Sequence, residues 1–405
     1  MTQLETGAAP PSGASPPRKR LACVAVTIGG VAAARRLRTA WPTVTCYIPA
    51  KLASGDDPFD AVYDEPVRAL VGRLFHEYDG LILCVAVGAA VRLLAPHLRQ
   101  KQTDPAVVTV DDGCRYAVSL LSGHQGGAND LARAAAEVLG AMPVITTASD
   151  VHHLPALDLL GREDGWRIEA TPLALKQAAA ALINGDRIAI YQDTGDTVWQ
   201  DALPAGQRLN CSSLHSVLQG IGLHASSCVD HTLGQPDVPP GKDAAPPDNP
   251  SGIGAVLLVT DHDLGDMVSL LLVPTVVYRP RTIIAGVGCS RGASVDEIDA
   301  LLREACCEGG VSPLALREVA TIDLKANEEG INALAARYGV PVRHYSAPQL
   351  DAVTAPNPSN VVREAVGTSG VCEPAALLAS GADALLVPKR KSSRATIALA
   401  RMPWL

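Results

Sequence analysis

The sequence predicts a multidomain α/β protein, with two α/β domains of mainly parallel sheet flanking a smaller α+β middle domain. Three observations carry this. Apolar runs of strand length alternate with helix-periodic stretches over most of the chain. Glycine-rich turns stand between strand and helix at Gly29-Gly30, at 122–127 and at 286–292. A chain of 405 residues is also long for one hydrophobic core.

Residues 1–20 are rich in Pro, Ala, Gly and Ser and lack an apolar core, so they read as a disordered tail and not as a signal peptide. The N-terminal α/β domain spans 21–150. Its strands are expected at 21–27, 44–48, 81–87, 106–110, 116–121 and 143–146, with helices opening at Gly29-Gly30 and running over 89–98 and 131–139. The close pair 106–110 and 116–121, joined through Asp111-Asp112-Gly113, reads as an antiparallel hairpin. The middle domain, 151–280, carries a helix near 173–182 and strands at 187–191, 255–260 and 268–277, interrupted by a flexible Pro-rich insertion at 234–252. The C-terminal α/β domain, 281–405, reads as strand 282–285, helix 295–306, strand 319–323, helix 328–338 and strand 342–345. Two short helical stretches follow, with strands at 384–387 and 396–400.

Composition excludes several function classes. With 47% hydrophobic and 19% charged residues the chain is globular, and its net charge of −8 argues against broad nucleic-acid binding. No apolar run reaches membrane-span length. The ten cysteines are scattered without a CxxC, as expected of thiols in a reducing cytoplasm.

Five constellations hold candidate chemistry. Ser122, His124, Gly126, Gly127, Asn129 and Asp130 lie between a strand and a helix, where backbone N–H groups and the helix dipole suit an anion or an oxyanion. On an extended segment Ser122 and His124 would share a face, with histidine as proton carrier. A helix cap with a packed histidine explains the same residues. Arg92, His97, Arg99, Lys101 and Asp104 concentrate positive charge in an acidic chain, either for a polycarboxylate or as a solvated helix face. Gly286, Gly288 and Gly292 follow a strand with GxGxxxG spacing, neither a dinucleotide nor a Walker loop; Arg291 within the turn suits a carboxylate. Cys211 and His215, like His224 and Cys228, are four apart, with His231 nearby, but the segment lacks a zinc signature and no metal site is expected. Asp323, Lys325, Glu328, Glu373 and Lys389 complete the set, either at a ligand-binding sheet edge or as surface and capping groups.

Over 79–150, in SGHxGGAN at 122–129, in GVGCSRG at 286–292 and in GVCEPAALL at 370–378, the chain resembles the cobalamin-biosynthesis family of cobalt-precorrin-5A hydrolases, the CbiG type. The resemblance implies a cytoplasmic enzyme that opens the ring-A δ-lactone of a cobalt-containing tetrapyrrole with water and releases acetaldehyde, giving cobalt-precorrin-5B. It implies no cofactor, since the cobalt belongs to the substrate. Neighbouring pathway methyltransferases are candidate partners. On this basis His124 is expected as general base or acid, and Gly126 and Gly127 as oxyanion donors. Ser122 and Asn129 would orient water or substrate. Arg92, Lys101 and Arg291 would receive macrocycle carboxylates, and Asp104 and Glu373 are placed with the substrate-binding set. The rival reading is a non-catalytic corrinoid carrier of the same pathway.

Overall fold

The computed structural model describes residues 20–53, 61–100, 103–124, 126–220, 252–354, 356–358, 363–364 and 367–403. The tail through 19, Lys101, the insertion through 251, and His224, Cys228 and His231 lie outside the described residues. The chain is α/β, with three mixed sheets in which most neighbouring strands are parallel. It divides into two compact units, Met1–Leu159 and Leu160–Leu405. No helix among the described residues is long and apolar enough to cross a membrane.

The first unit runs β1 (Leu21–Ala25), α1 (Ile28–Ala40), β2 (Thr45–Pro49), β3 (Ala61–Tyr63), α2 (Val67–Glu77), β4 (Gly80–Cys84) and α3 (Val87–Leu94). It continues with β5 (Ala106–Val110), β6 (Tyr116–Leu121), α4 (Ala128–Leu139), β7 (Met142–Val144) and the single turn α5 (Ala148–Val151). Seven strands lie in the order β3-β2-β1-β4-β5-β6-β7. β1, β4 and β5 are buried along their whole length, because helices cover both faces and leave no polar side to the strands. Val31, Ala34 and Leu37 of α1 and Leu131, Ala135 and Leu139 of α4 pack on one face; Leu70 and Leu74 of α2 and Leu93 and Leu94 of α3 pack on the other.

The hairpin expected between 106–110 and 116–121 is present, with β5 and β6 antiparallel. β7 then pairs parallel to β6. The carboxyl ends of β6 and β7 therefore lie at the sheet edge opposite the carboxyl ends of β1 to β5. That reversal sets where the first constellation stands. The helix expected over 89–98 begins earlier and ends at Leu94, where a 3-10 turn (Ala95–His97) takes over. Pro96 supplies the reason, as it has no N–H for the α-helical ladder.

The second unit holds two five-stranded sheets. The first comprises β8 (Arg167–Glu169), β9 (Arg187–Gln192), β10 (Arg208–Cys211), β11 (Ile253–Val259) and β12 (Thr275–Arg279), ordered β10-β9-β11-β12-β8 with only the β12–β8 pair antiparallel. Its helices are α6 (Pro172–Asn184), capped by Thr171 and ended at Gly185, and α7 (Leu214–Gly220). The strand expected over 268–277 is instead a 3-10 segment (Gly265–Leu270) followed by β12; Pro274 stands at the break. Cys211 closes a strand and His215 sits in the next helix, so the pair does not share a helical face.

The second sheet comprises β13 (Ile283–Cys289), β14 (Leu316–Ile322), β15 (Val342–Tyr345), β16 (Val387–Lys391) and β17 (Ala395–Arg401), ordered β15-β14-β13-β17-β16. Helices α8 (Val295–Glu308), α9 (Glu329–Tyr338), α10 (Ala347–Asp351) and α11 (Cys372–Ser380) join its strands. The strand expected at 384–387 is displaced to Val387–Lys391, where its backbone can pair with β17. The short strands β3, β8 and β10 escaped the sequence reading. The first two are three residues long, too short for two-residue alternation to register.

Candidate active site

β6 ends where Ser122 turns left-handed, φ +57°, a conformation that an L-residue holds only when its surroundings enforce it. Gly126 makes room for it. A Cβ on Gly126 would lie 2.3 Å from the Ser122 Cβ and 2.5 Å from its carbonyl oxygen, so only glycine permits this approach. The Ser122 carbonyl accepts the N–H of Ala128 at 3.1 Å, and the Gly123 carbonyl that of Asn129 at 3.0 Å. α4 follows from Gly127 (φ +84°) to its left-handed stop at Gly140, with Leu131, Ala132, Ala135, Ala136 and Leu139 buried at helical spacing.

This turn presents His124 to the segment after β7. Its Nε2 lies 3.0 Å from Asp150 Oδ2 and 2.9 Å from Ser149 Oγ, and its Nδ1 lies 3.7 Å from Asp158 Oδ1. The histidine side chain is 16% exposed, enough for solvent or a ligand to reach its edge.

The two carboxylates differ in kind. Asp150 Oδ2 also accepts from Asn129 Nδ2 at 2.9 Å and Thr147 Oγ1 at 2.8 Å, while Oδ1 takes the Arg133 guanidinium. Burial pushes the Asp150 carboxyl up, but hydrogen bonds from Thr147, Arg133 and His124 outweigh it and hold the group below its ordinary value. An ionised Asp150 only accepts, which places the proton of a neutral His124 on Nε2 and leaves the Nδ1 lone pair facing Asp158. Asp158 has no hydrogen bond among the described residues. Its one recorded polar side-chain neighbour there is that Nδ1, at 3.7 Å.

Other expected residues take positions that local geometry explains. Ser122 and His124 do not act on a common face, because the left-handed turn breaks the extended geometry. Ser122 Oγ donates to the Asp104 carbonyl at 2.9 Å instead. The Asp104 carboxylate accepts the N–H groups of Arg99 and Gln100, closing a turn. The Gly127 N–H donates to the His124 carbonyl at 2.9 Å and so is taken up inside the turn, not held for an oxyanion. Gly126 lines a cavity of about 390 Å³ with Arg20, His76, Tyr78, Arg99 and Asp104. Asn129 is buried and spends its amide on the network: Oδ1 accepts from Ser119 Oγ at 2.7 Å, and Nδ2 donates to Thr147 Oγ1 and Asp150 Oδ2. Arg92 is exposed and donates to its own helix at the Gly88 carbonyl.

In the second unit, Arg291 is exposed on the glycine turn after β13. The anion position there is filled by the protein itself, since the Gly292 N–H donates to Glu328, which also pairs with Lys325 at 3.3 Å. Glu373, 1% exposed, accepts from the backbone and side-chain nitrogens of Asn357 and from the Lys389 N–H, so it ties α11 to two other segments. The described residues contain no His, Cys, Asp and Glu grouping suited to a metal ion.

Sequence reading missed Ser149, Asp150 and Asp158. Thr147 and Asp150 do carry a signal, a threonine followed three residues on by an acid at a helix start. Asp158 carries none. The depressed Asp150 carboxyl predicts acid sensitivity with a definite sign. Its contribution is fully present above the ordinary aspartate value and is lost as pH falls through the lower folded value. In acid titrations followed by circular dichroism, Asp150→Asn is expected to flatten that part of the loss relative to wild type.

Comparison with known proteins bears on the whole chain. Residues 69–150 match the family described as Cobalamin synthesis G N-terminal, 155–280 the Cobalamin biosynthesis central region, and 283–400 the Cobalamin synthesis G C-terminus. A cobalt-precorrin-5A hydrolase of Priestia megaterium is 36% identical over 409 aligned residues, covering 100% of both chains. A cobalt-precorrin-5A hydrolase of Salmonella typhimurium is 32% identical over 362, covering 89% of this chain and 92% of its own. The protein CobE of a Sinorhizobium species is 40% identical over 121 residues, 29% of this chain and 79% of its own.

Proposed function

The chain belongs to the CbiG family, and we propose on that premise that its activity is that of a cobalt-precorrin-5A hydrolase of cobalamin biosynthesis. The observation that carries the reading is 36% identity to such a hydrolase over the full length of both chains. The reaction adds water across the ring-A lactone, freeing an acetate carboxylate and leaving the excised carbon as a methyl carbinol. That carbon then leaves as acetaldehyde.

His124 is proposed as the group that activates the water. Asp150 holds Nε2, so Nδ1 takes the proton as the hydroxide attacks the lactone carbonyl. The C–O bond breaks, and the imidazolium returns the proton to the departing alkoxide. Ser149 and Asn129 fix the ring and its carboxylate rather than touching substrate. Arg99 in the neighbouring cavity, with Arg92, suits peripheral carboxylates of the macrocycle.

Strictly anaerobic incubation with cobalt-precorrin-5A tests the reading, with acetaldehyde followed by coupled reduction to ethanol and the corrinoid by mass. Release of acetaldehyde with formation of the ring-opened product is expected. Tight corrinoid binding without release would make the protein a carrier.

A further inference from the structure

Two half-reactions confront this site, and His124 accounts for one. Lactone opening needs a base at water. Carbon–carbon cleavage needs a base at the new hydroxyl and a proton for the macrocycle carbon that keeps the electron pair. A group suited to the second task must be ionisable, beside the first base, accessible, and not already consumed by structural hydrogen bonds.

Asp150 fails the last condition, since His124, Asn129, Thr147 and Arg133 occupy both its oxygens. Asp158 meets all four. Its oxygen lies 3.7 Å from His124 Nδ1, too far for a direct hydrogen bond and close enough for one substrate hydroxyl or water to touch both. Its side chain is 20% exposed, and no other hydrogen bond engages it among the described residues. Placing a free carboxylate against the working nitrogen of a histidine, with a bound carboxylate on the other nitrogen, separates the two acids into a fixed orienting group and a mobile proton carrier.

We propose that Asp158 is the second proton-transfer group of this site and acts in the carbon–carbon cleavage, a role that rests on the hydrolase reading above. Its carboxylate removes the proton of the carbinol hydroxyl. The O–H electrons become the C=O bond of acetaldehyde, the carbon–carbon bond breaks, and its electron pair passes to the macrocycle. The macrocycle takes up the proton that Asp158 carries, so the aspartate ends ionised and no further reactant is needed.

Single-turnover reactions of the full chain with cobalt-precorrin-5A test this, using wild type, Asp158→Asn and Asp158→Glu. Asp158→Asn is expected to bind the corrinoid and gain the mass of one water, while acetaldehyde release falls by about 100-fold or more. Asp158→Glu, which keeps the carboxylate on a longer arm, is expected to recover part of the release and guards against a variant that merely fails to fold. Release by Asp158→Asn close to the wild-type rate would overturn the assignment, as would equal loss of opening and release in both variants. If wild type itself neither opens the lactone nor releases acetaldehyde, the hydrolase reading falls, and that result is distinct from failure of Asp158 alone.

Discussion

Replacing His124 with alanine is expected to lower lactone opening and acetaldehyde release together by about two to four orders of magnitude, the range typical of losing a positioned general base. Stability should change little. Asp150 keeps Asn129, Thr147 and Arg133 when the imidazole is removed, so no carboxylate is stranded, and the cost is on the order of 1 kcal/mol for the lost hydrogen bonds. The backbone of the turn is held by Gly126, Ala128 and Asn129, not by the imidazole. The checks are the single-turnover rate and the urea midpoint of the same preparation. A variant with the wild-type midpoint and wild-type rate would remove His124 from the chemistry. A variant that loses both opening and release also contrasts with Asp158→Asn, for which only release should fall.

How much of this was legible in the sequence follows from what is local. The strand, glycine turn and helix around 122–139 were readable because glycine, a helix start and buried residues at helical spacing all sit in one short stretch. The hairpin of β5 and β6 was readable for the same reason, through Asp111-Asp112-Gly113. The expectation that Ser122 and His124 share a face fails, because it depends on Ser122 being extended. Ser122 is left-handed, and Gly126 leaves room for it where any Cβ would meet the Ser122 Cβ and carbonyl oxygen; no propensity of serine records this. The glycine N–H groups looked free in sequence, but turns satisfy their own donors, and His124 and Glu328 supply the acceptors.

Asp150 and Asp158 come from a segment that β7 brings back beside the turn, a meeting set by the parallel pairing of β6 and β7. Asp150 at least sits where a helix starts. Asp158 sits in irregular structure with no pattern around it, and its meaning lies in its having no hydrogen bond among the described residues. A functional carboxylate of this kind is visible only once the hydrogen bonds of its neighbours have been assigned.

Gly286→Ala is expected to be the most damaging single methyl in the second unit. A Cβ there would lie 1.8 Å from the Cys372 carbonyl oxygen and 2.8 Å from the Ala376 nitrogen. Both are backbone atoms of α11, so no rotamer change can relieve the contact, and the helix must move off β13. Movement would uncouple Ala375 from Ile284 and Ala320, and Ala376 from Ala398 and Ala400. It would also pull Glu373 away from Asn357 and Lys389, leaving a buried carboxylate short of partners. Overpacking of this severity costs about 3 kcal/mol or more, a fall of roughly 6–12 °C in the melting of a unit this size. Gly381→Ala provides the contrast. Gly381 also ends α11, with φ +66° but no atom within 4 Å of a built Cβ, so left-handed strain alone should cost about 1 kcal/mol. Calorimetry of both variants separates close approach from backbone conformation. A Gly286→Ala protein melting no lower than Gly381→Ala would mean that α11 can slide on β13 without loss, and the seat of Glu373 would then not be fixed by that glycine.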